Sequence, residues 1–577
     1  ISSFLGSIVR LLLFSQIGSR NLEPCNFNDS DSIFLIFPHF FVKLHLTNVV
    51  SCAAHLMCFA HKVGPSIRKY IKSKLEVHIL KPVNSGGHSA YQNLVLTQLR
   101  KYYPDADSSF DASTWDIIEH FWSLDLSPVD QILQDRYSNF GPPPRLPSDM
   151  LRSYLLSMKF KVPSLTAWAS CLKQNHLYAI LSGFLVGDTP GTGTFYDFLD
   201  RLWLSDENNL SDPIHPPREK PVRPKKKGEK ASPVEKVTVR DLLARLEIEP
   251  PQDFAPAGRL FDIFKSLFLN VSAEQNLIDL SSLAISGDGT PVYTGTTERK
   301  TRTCDCLVHG IRDCKCNRIF HQPDCNIGWD SHRGRYYFGY DLYMLTASDS
   351  ENDLPIFPLL GPASRHDSHG FLYNWFSMQQ FLPEANVTKL LLDSAHDAMA
   401  YYEYCHDHGI QPFIDLNGKG GRPPVYKDDF TIGDDGVPIC KEGFRMRRDG
   451  TETAKGRTKF KCPKIRFAGE GCPVCTCENP CSDAKYGRTV HLVLKDNPRL
   501  FNHPPRSSKE WKLQYKARTS SERCNKREKI DYKLEDGRHR SSKMWYCRLF
   551  AIMMCQHLDA WALPKSSPLK DLFRKAA

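Results

Sequence analysis

The order of apolar segments between residues 283 and 414 constrains the fold of this chain more than any other feature of its sequence. Three segments rich in aliphatic and aromatic residues come first, and helical and strand-like patterns then alternate. In chain order the segments are Leu283–Val292, Tyr336–Ala347, Pro355–Leu360, Phe371–Phe381, Val387–Leu392, His396–His408 and Gln411–Ile414. This β-β-β-α-β-α-β order predicts an α/β fold with a mixed sheet.

The same order of elements is that of an RNase H-like sheet, and acidic residues follow two of its strands. Asp288 lies where the first strand meets two glycines, and Asp393 directly follows the fourth strand. Carboxylates at the edge of an apolar sheet suit metal ligands, although Asp-Gly also forms ordinary turns. For Asp397 we predict a helix-cap or first-turn role, and for His366 and Asp367 a turn and helix-cap role.

One face of the helical segment over residues 515–529 combines a carboxylate with cations and a phenol. At about 100° per residue, Arg518, Glu522 and Lys529 fall within an arc of roughly 60°. Tyr515 lies on the same face, and Lys526 lies just beside it. A surface helix stabilised by ion pairs is the alternative interpretation.

The residues of this face carry a resemblance to a known family. Tyr515, Arg518, Glu522 and Lys529 have the spacing Y-x2-R-x3-E-x6-K, which resembles the signature of DDE transposases from bacterial insertion sequences without departure. The resemblance covers residues 283–563, and residues 142–203 are similar to the helical N-terminal region of the same proteins.

The resemblance implies that Asp288, Asp393 and Glu522 are catalytic and hold two Mg²⁺ or Mn²⁺ ions. Two ions stabilise the extra negative charge on phosphorus while attacking and leaving oxygens are in line. The implied reactions are hydrolysis at a transposon end and strand transfer to target DNA, with no covalent protein intermediate.

The resemblance also implies that Tyr515, Arg518 and Lys529 bind DNA phosphates, and Lys526 belongs to the same predicted contact. The implied partner is double-stranded DNA, as transposon ends and as target, bound by a homodimer in the bacterial cytoplasm at the nucleoid. Two alternatives stay open. One is a nuclease of the same fold without strand transfer, and the other is a catalytically inactive, zinc-stabilised DNA-binding regulator or remnant.

The chain contains nineteen cysteines, and many of them form two dense groups in its second half. The groups are Cys304, Cys306, Cys314, Cys316 and Cys325, and then Cys462, Cys472, Cys475, Cys477 and Cys481. Such spacing suits structural Zn²⁺, with free thiols in a reducing cytosol as the alternative, and it does not reveal which four residues bind. We predict folded insertions near residues 303–325 and 440–481 that are lids or DNA-contacting modules rather than catalytic parts, because a closed thiolate site leaves no open position for substrate.

The other segments differ in pattern. Residues 76–205 have a helical pattern with Ser148, Ser164 and Thr194 as predicted caps, which favours a helical DNA-binding domain, with a helical packing module as the alternative. The remaining predicted segments are a basic Pro-rich linker over 206–238, a helical connector over 239–282, the catalytic domain over 283–563 and a tail over 564–577.

The composition is that of an ordinary globular protein, with 41% hydrophobic and 24% charged residues and a formal net charge of +10. This charge favours a polyanionic partner without selecting one. We assign no fold to residues 1–75, because the segment begins with Ile1. We interpret it as a segment translated upstream of the true start or as a fragment boundary, with Met57 as a candidate start. Pro38 and Lys43 interrupt the apolar stretch from Ile33 to Ala60, so we predict no membrane span.

Overall fold

The computed structural model describes residues 32–37, 40–45, 87–105, 109–138, 143–216, 237–417, 430–433, 435–464, 466–468, 472–474, 477–484, 487–562 and 568–574. Most of the segment 1–75, linker residues 217–236 and the side chains of Cys472 and Cys475 lie outside the described residues.

The chain divides into two units. The first, residues 1–82 and 138–143, contains an antiparallel hairpin of β1 (Ser32–Phe37) and β2 (Phe40–His45).

The second unit is built around a six-stranded mixed sheet. Its strands are β4 (Leu283–Tyr293), β7 (Asn326–Asp330), β8 (Arg335–Ala347), β9 (Pro355–Pro362), β10 (Val387–Leu392) and β11 (Gln411–Ile414). The order across the sheet is β9–β8–β4–β10–β11, and β7 pairs with the first part of β8. The pairs β9–β8 and β8–β4 are antiparallel, whereas β4–β10 and β10–β11 are parallel. The predicted α/β class with a mixed sheet is confirmed.

Largely apolar sequence explains where the central strands lie. β10 begins and ends at the predicted residues, and β8 is buried from Gly339 to Ala347. Strands covered on both faces have such largely apolar sequences. In β4 the first five residues, Leu283–Gly287, are buried, while the next four, Asp288–Pro291, are only partly buried. The sheet therefore becomes accessible at Asp288.

The α-helices of the second unit lie before, between and after these strands. In chain order they are α1 (Gly87–Tyr102), α2 (Ala112–Ser123), α3 (Pro128–Ile132), α4 (Pro147–Lys159), α5 (Leu165–Gln174), α6 (His176–Ser182), α7 (Thr192–Leu202), α8 (Val239–Ile248), α9 (Gly258–Phe264), α10 (Asn270–Glu274), α11 (Asp367–Phe381), α12 (Met399–Asp407), α13 (Lys509–Tyr515), α14 (Thr519–Lys526), α15 (Ser542–Ala560) and α16 (Pro568–Arg574). No described helix is long and apolar enough to cross a membrane.

The predicted helix caps are partly confirmed. Ser164 caps α5 by accepting a hydrogen bond from the amide of Ala167. The predictions for Ser148 and Thr194 are wrong, because α4 and α7 begin earlier and contain these residues. Proline at the first position of α4 favours the earlier start, since its fixed φ suits a helix and its missing N–H would have no partner there.

One hydrophobic core joins the helical region to the sheet. α15 is buried from Trp545 to Leu558, and it contacts α4, α7 and β9. The thiol of Cys555 donates to the carbonyl of Leu155 at 3.6 Å, which ties α15 to α4. A helix that is buried all round belongs to a core. The predicted DNA-binding role of the helical region stays a prediction.

Two insertions form small sheets beside the main core. In the first, β5 (Lys300–Arg302) pairs with β6 (Arg318–Phe320), which also pairs with β3 (Ile214–His215). The second contains β12 (Phe430–Ile432), β13 (Pro438–Cys440), β14 (Arg447–Glu452), β15 (Arg457–Lys461), β16 (Arg466–Ala468), β17 (Cys472–Val474) and β18 (Thr489–Val493). Its apolar residues, which include Phe460 and Leu492, form a separate core.

Candidate active site

Strand pairing brings two of the predicted acids together. β4 and β10 are parallel neighbours, and Ser286 lies beside Leu391. Asp288 and Asp393 each follow two residues after these paired positions. Because the pairing is parallel, the two carboxylates reach the same part of the sheet, where the fourth strand ends.

Asp288 is the most perturbed of the three predicted acids. Burial is the main cause that raises its pKa to about 7, and the carboxylates of Asp393 and Glu522 add to the shift while Arg518 opposes it. The side-chain amide of Asn525 donates to its Oδ2 at 3.2 Å. A carboxylate in such surroundings is costly to ionise unless a cation offsets its charge.

Asp393 has the opposite behaviour. Although burial raises the pKa of this carboxyl group, hydrogen bonding and attraction from His396 lower it overall. The Nδ1 atom of His396 lies 2.6 Å from Oδ1 of Asp393, and the amide of Ala395 donates to the same oxygen at 3.1 Å. Asp393 is therefore held in its ionised form beside an acid that resists ionisation.

Glu522 comes from α14, which packs against β4 and β8. Its carboxylate forms an ion pair with Arg518, one helical turn earlier. The Glu522 side chain is 49% exposed and the Arg518 side chain is 16% exposed, so the guanidinium is the more deeply placed partner. Arg518 also acts electrostatically on Asp288 and Asp393, which places it beside all three acids.

The other signature residues lie around this group. Tyr515 stacks on Trp511 with ring centroids 4.6 Å apart, and burial raises its pKa to about 12. The Nζ atom of Lys529 donates to the carbonyl of Pro291 at 2.5 Å, at the far end of β4, and Lys526 is exposed.

Residues 515–529 do not form one regular helix. A 3₁₀ turn at Lys516–Arg518 separates α13 from α14, and a π-helical turn at Arg527–Asp531 follows α14. A π turn changes the direction in which later side chains point. The calculation with a uniform angle per residue therefore does not describe how Lys529 is placed relative to Glu522.

Two further acids lie on the other side of β4. Neighbouring residues of a strand point to opposite faces of the sheet, so the side chain of Asp288 and the Cα hydrogen that takes the place of a side chain in Gly289 lie on opposite faces. A Cβ atom at Gly289 would lie 3.1 Å from carboxylate oxygens of both Asp341 and Asp367. Burial, followed by the charges of Asp367 and Asp288, raises the pKa of Asp341 well above its usual range.

Sequence reasoning missed Asp341 and Asn525, and it underrated His396. Asp341 lies within the apolar strand β8, and its only signal is an acid where the pattern requires an apolar residue. Asn525 lies three residues after Glu522, a spacing that brings both side chains to one face of a helix. Helical spacing could have identified Asn525, whereas the contact of His396 needed the turn after β10.

The predicted cap roles near the site have different outcomes. His366 caps α11, where its Nδ1 accepts from the amide of Ser368 at 3.2 Å, as predicted. The cap role predicted for Asp397 is wrong. Its carboxylate is fully buried and accepts hydrogen bonds from Nε and Nη2 of Arg499, at 2.8 and 2.6 Å.

The first cysteine group converges on a candidate metal centre. Among the described residues, one group of three or more His, Cys, Asp or Glu side chains has all its ligand atoms within 4.8 Å of one another, and its members are Cys304, Cys306, Cys314 and Cys316. The Sγ atoms are 3.6 Å apart for Cys304 and Cys314 and 3.7 Å apart for Cys306 and Cys316. Four thiolates so close together fit tetrahedral Zn²⁺.

The thiols of this centre differ in pKa. Hydrogen bonding with Cys304 is the main cause that raises the pKa of Cys306 to about 12, and the pKa of Cys316 is raised as well. Although burial acts in the opposite direction, a hydrogen bond from Arg318 and further bonds within the group lower the pKa of Cys314 to about 6. The guanidinium nitrogen of Arg318 lies 3.0 Å from that sulfur. Since metals bind the thiolate, a lowered pKa helps binding at neutral pH.

The other predicted zinc ligands are not part of this group. Cys325 is 2% exposed, and burial raises the pKa of its thiol far above the usual range. In the second cysteine group, Cys462 is buried, Cys477 and Cys481 are partly buried, and the side chains of Cys472 and Cys475 lie outside the described residues.

Comparison with models of protein families finds no match, and comparison with curated proteins finds none either.

Proposed function

We propose that this chain is a DNA transposase whose RNase H-like domain hydrolyses transposon ends and joins them to target DNA. The observation that carries the proposal is the grouping of Asp288 and Asp393, on paired strands, with Glu522, which comes from a helix far away in sequence. The strand order β9–β8–β4–β10–β11 supports an RNase H-like sheet, because β8, the second of these five strands along the chain, lies between the first, β4, and the third, β9.

The donor set fits Mg²⁺ or Mn²⁺. Asp288, Asp393 and Glu522 offer only oxygen atoms, which these hard cations prefer. The raised pKa of Asp288 supports the same assignment, because nearby negative charge contributes to it and bound cations would offset that charge. Ions held by these residues would supply Lewis acidity and a bound water that ionises more readily.

The chain's own cations would orient the DNA. Arg518 lies beside all three acids, and its planar guanidinium suits two-pronged contact with a phosphate. In the described structure this guanidinium is paired with Glu522, so it competes for the carboxylate that would hold a cation. DNA phosphate would provide Arg518 with an alternative partner and leave Glu522 available.

The four converging cysteines support a structural Zn²⁺ in the first insertion. A site with four thiolates is closed to substrate and contributes folding free energy. Because β6 pairs with both β5 and β3, zinc would stabilise the hairpin that holds Ile214–His215, which lie within the predicted basic linker. Double-stranded DNA as partner, a homodimer in the DNA complex and a bacterial cytoplasmic location belong to the same proposal.

The test is cleavage and joining of DNA that carries the segments flanking the chain's own reading frame. Wild-type protein with Mg²⁺ should cut these segments and join them to a second plasmid. Asp288→Asn, Asp393→Asn and Glu522→Gln should each reduce cutting by at least about 100-fold and keep DNA binding. Glu403→Gln, an acid of α12 whose side chain is 40% exposed and paired with Arg240, is the matched control and should cut normally.

The outcomes separate the alternatives. Cutting without joined products would indicate a nuclease without strand transfer. DNA binding by wild-type protein without any cutting would indicate the inactive regulator. Normal cutting by any one of the three acid variants would remove that residue from the site.

A further inference from the structure

A buried hydrogen-bonded chain lies directly behind Asp393. His396 is 1% exposed, and its two ring nitrogens have different partners. Nδ1 lies 2.6 Å from Oδ1 of Asp393, and Nε2 lies 2.9 Å from the hydroxyl of Tyr343. Both partners are side chains, so the ring links an acid after β10 to a tyrosine in the middle of β8.

The direction of these hydrogen bonds follows from their chemistry. An ionised carboxylate can only accept, so Nδ1 of His396 carries the hydrogen and donates to Asp393. In a neutral imidazole Nε2 then accepts, and the hydroxyl of Tyr343 donates to it. Both hydrogen bonds are therefore donated in the direction of Asp393, and each bond polarises and strengthens the other.

Packing fixes both rings of the chain. The ring of Tyr343 is 1% exposed, and a Cβ atom at Gly287 would lie only 2.8 Å from it. The ring of His396 has Phe371 and Tyr401 as neighbours, with centroids 5.8 and 6.1 Å away. These aromatic neighbours pack around the imidazole and restrict its movement.

The two carboxylate oxygens of Asp393 differ in their hydrogen bonds. The bonds that the described residues make to this carboxylate, from His396 and from the amide of Ala395, both go to Oδ1. Its side chain is 36% exposed, so the group is still accessible from outside. Oδ2 is the oxygen that these bonds leave for a cation.

We infer that His396 and Tyr343 are positioning residues that hold Asp393 in the orientation required to bind a divalent cation. The inference rests on the proposed function only in taking Asp393 as a ligand. Groups that orient a ligand in this way commonly change metal affinity by about 10- to 100-fold when they are removed.

The experiment measures Mn²⁺ binding to the full chain, loaded with zinc and without DNA, by electron paramagnetic resonance. His396→Phe keeps a flat ring and loses both hydrogen bonds, so we expect at least about 10-fold weaker Mn²⁺ binding. His396→Asn places an amide nitrogen near the position of Nδ1 and should recover part of the loss. Tyr343→Phe removes one hydroxyl and should weaken binding about threefold, a smaller loss because His396 remains.

His557→Phe is the matched control. His557 is also fully buried, and its ring bridges Ser272 and the carbonyl of Pro355 at 2.8 and 2.9 Å, away from the acids. This variant should lower the melting temperature about as much as His396→Phe while Mn²⁺ binding stays at the wild-type level. A purely structural role for His396 would make the two variants alike in both measurements.

Three results decide the matter. The inference is overturned if Asp393→Asn loses Mn²⁺ binding while His396→Phe keeps the wild-type affinity. If His396→Phe does not fold, Tyr343→Phe takes its place in this comparison. Unchanged binding in Asp393→Asn overturns the inference and the metal site together. If His396→Phe, Tyr343→Phe and Asp393→Asn all lose Mn²⁺ binding and the wild-type protein does not cut DNA, the inference is supported and the transposase proposal is contradicted.

Discussion

Replacing Asp288 by Asn should make the protein more stable at alkaline pH when Mg²⁺ and Mn²⁺ are absent. The pKa of Asp288 rises from 3.8 to about 7, with burial as the main cause. Each pKa unit corresponds to about 1.4 kcal/mol, so ionising this group in the folded state costs at most about 4 kcal/mol. The asparagine has a similar shape and never ionises, so it avoids this cost.

The sign of the pH dependence follows from the raised pKa. Protonated Asp288 stabilises the folded state fully below pH 3.8, and this stabilisation is lost as the pH rises through about 7. Between pH 5.5 and pH 8 the advantage of Asp288→Asn should therefore grow by about 2 kcal/mol. Above pH 8 the difference between variant and wild type should be constant.

The assay is urea denaturation at pH 5.5, 7 and 8, with zinc present and other divalent cations removed. The control Glu403→Gln changes a more exposed acid and should follow the wild-type pH profile. Addition of Mg²⁺ at pH 8 should stabilise the wild type and leave Asp288→Asn unchanged, because a ligand that binds only the folded state stabilises it. Parallel profiles for wild type and Asp288→Asn between pH 5.5 and pH 8 would refute the reasoning.

Three further predictions concern other parts of the molecule. Elemental analysis of Cys314→Ser should find the zinc of the first insertion lost, whereas Cys325→Ser should keep it, since Cys325 is outside the group of four; equal zinc in both would contradict the assigned ligands. Arg518→Ala should lower DNA cleavage and reduce the salt dependence of DNA binding by about one counterion, and Arg518→Lys should recover only part of the cleavage; full recovery would mean that charge alone matters. Leu569→Ala should lower the free energy of unfolding in urea by about 2–3 kcal/mol, because Leu569 of α16 is fully buried; an unchanged midpoint would mean that α16 is not part of the folded core.

The sequence predicted five of the six strands of the sheet because each of them has its own local signal, whereas β7 (Asn326–Asp330) was missed. Val387–Leu392 ends in three consecutive leucines that are followed directly by an acid, and the observed strand has the same bounds. The grouping of Asp288 with Asp393 then needs only the parallel pairing of their strands. Local pattern and simple topology were sufficient for this half of the candidate site.

Other features depend on contacts that spacing does not encode. Asp397 pairs with Arg499, which is 102 residues away, and no local pattern distinguishes that role from a helix cap. The π turn at Arg527–Asp531 follows α14 and contacts α15, a helix further along the chain, so a regular helical calculation cannot anticipate the position of Lys529. Which cysteines converge also depends on the hairpin that brings Cys314 and Cys316 back to Cys304 and Cys306.

The burial of α15 between the N-terminal helices and the sheet limits how this protein can be rearranged. Its side chains from Trp545 to Leu558 have no free face, so removal of α4 and α7 would expose apolar surface directly above β9. The helical region therefore cannot be removed or exchanged as an independent module. Substitutions in this region that preserve the fold have to be confined to the outer surfaces of these helices, and every side chain that contacts α15 has to stay as it is.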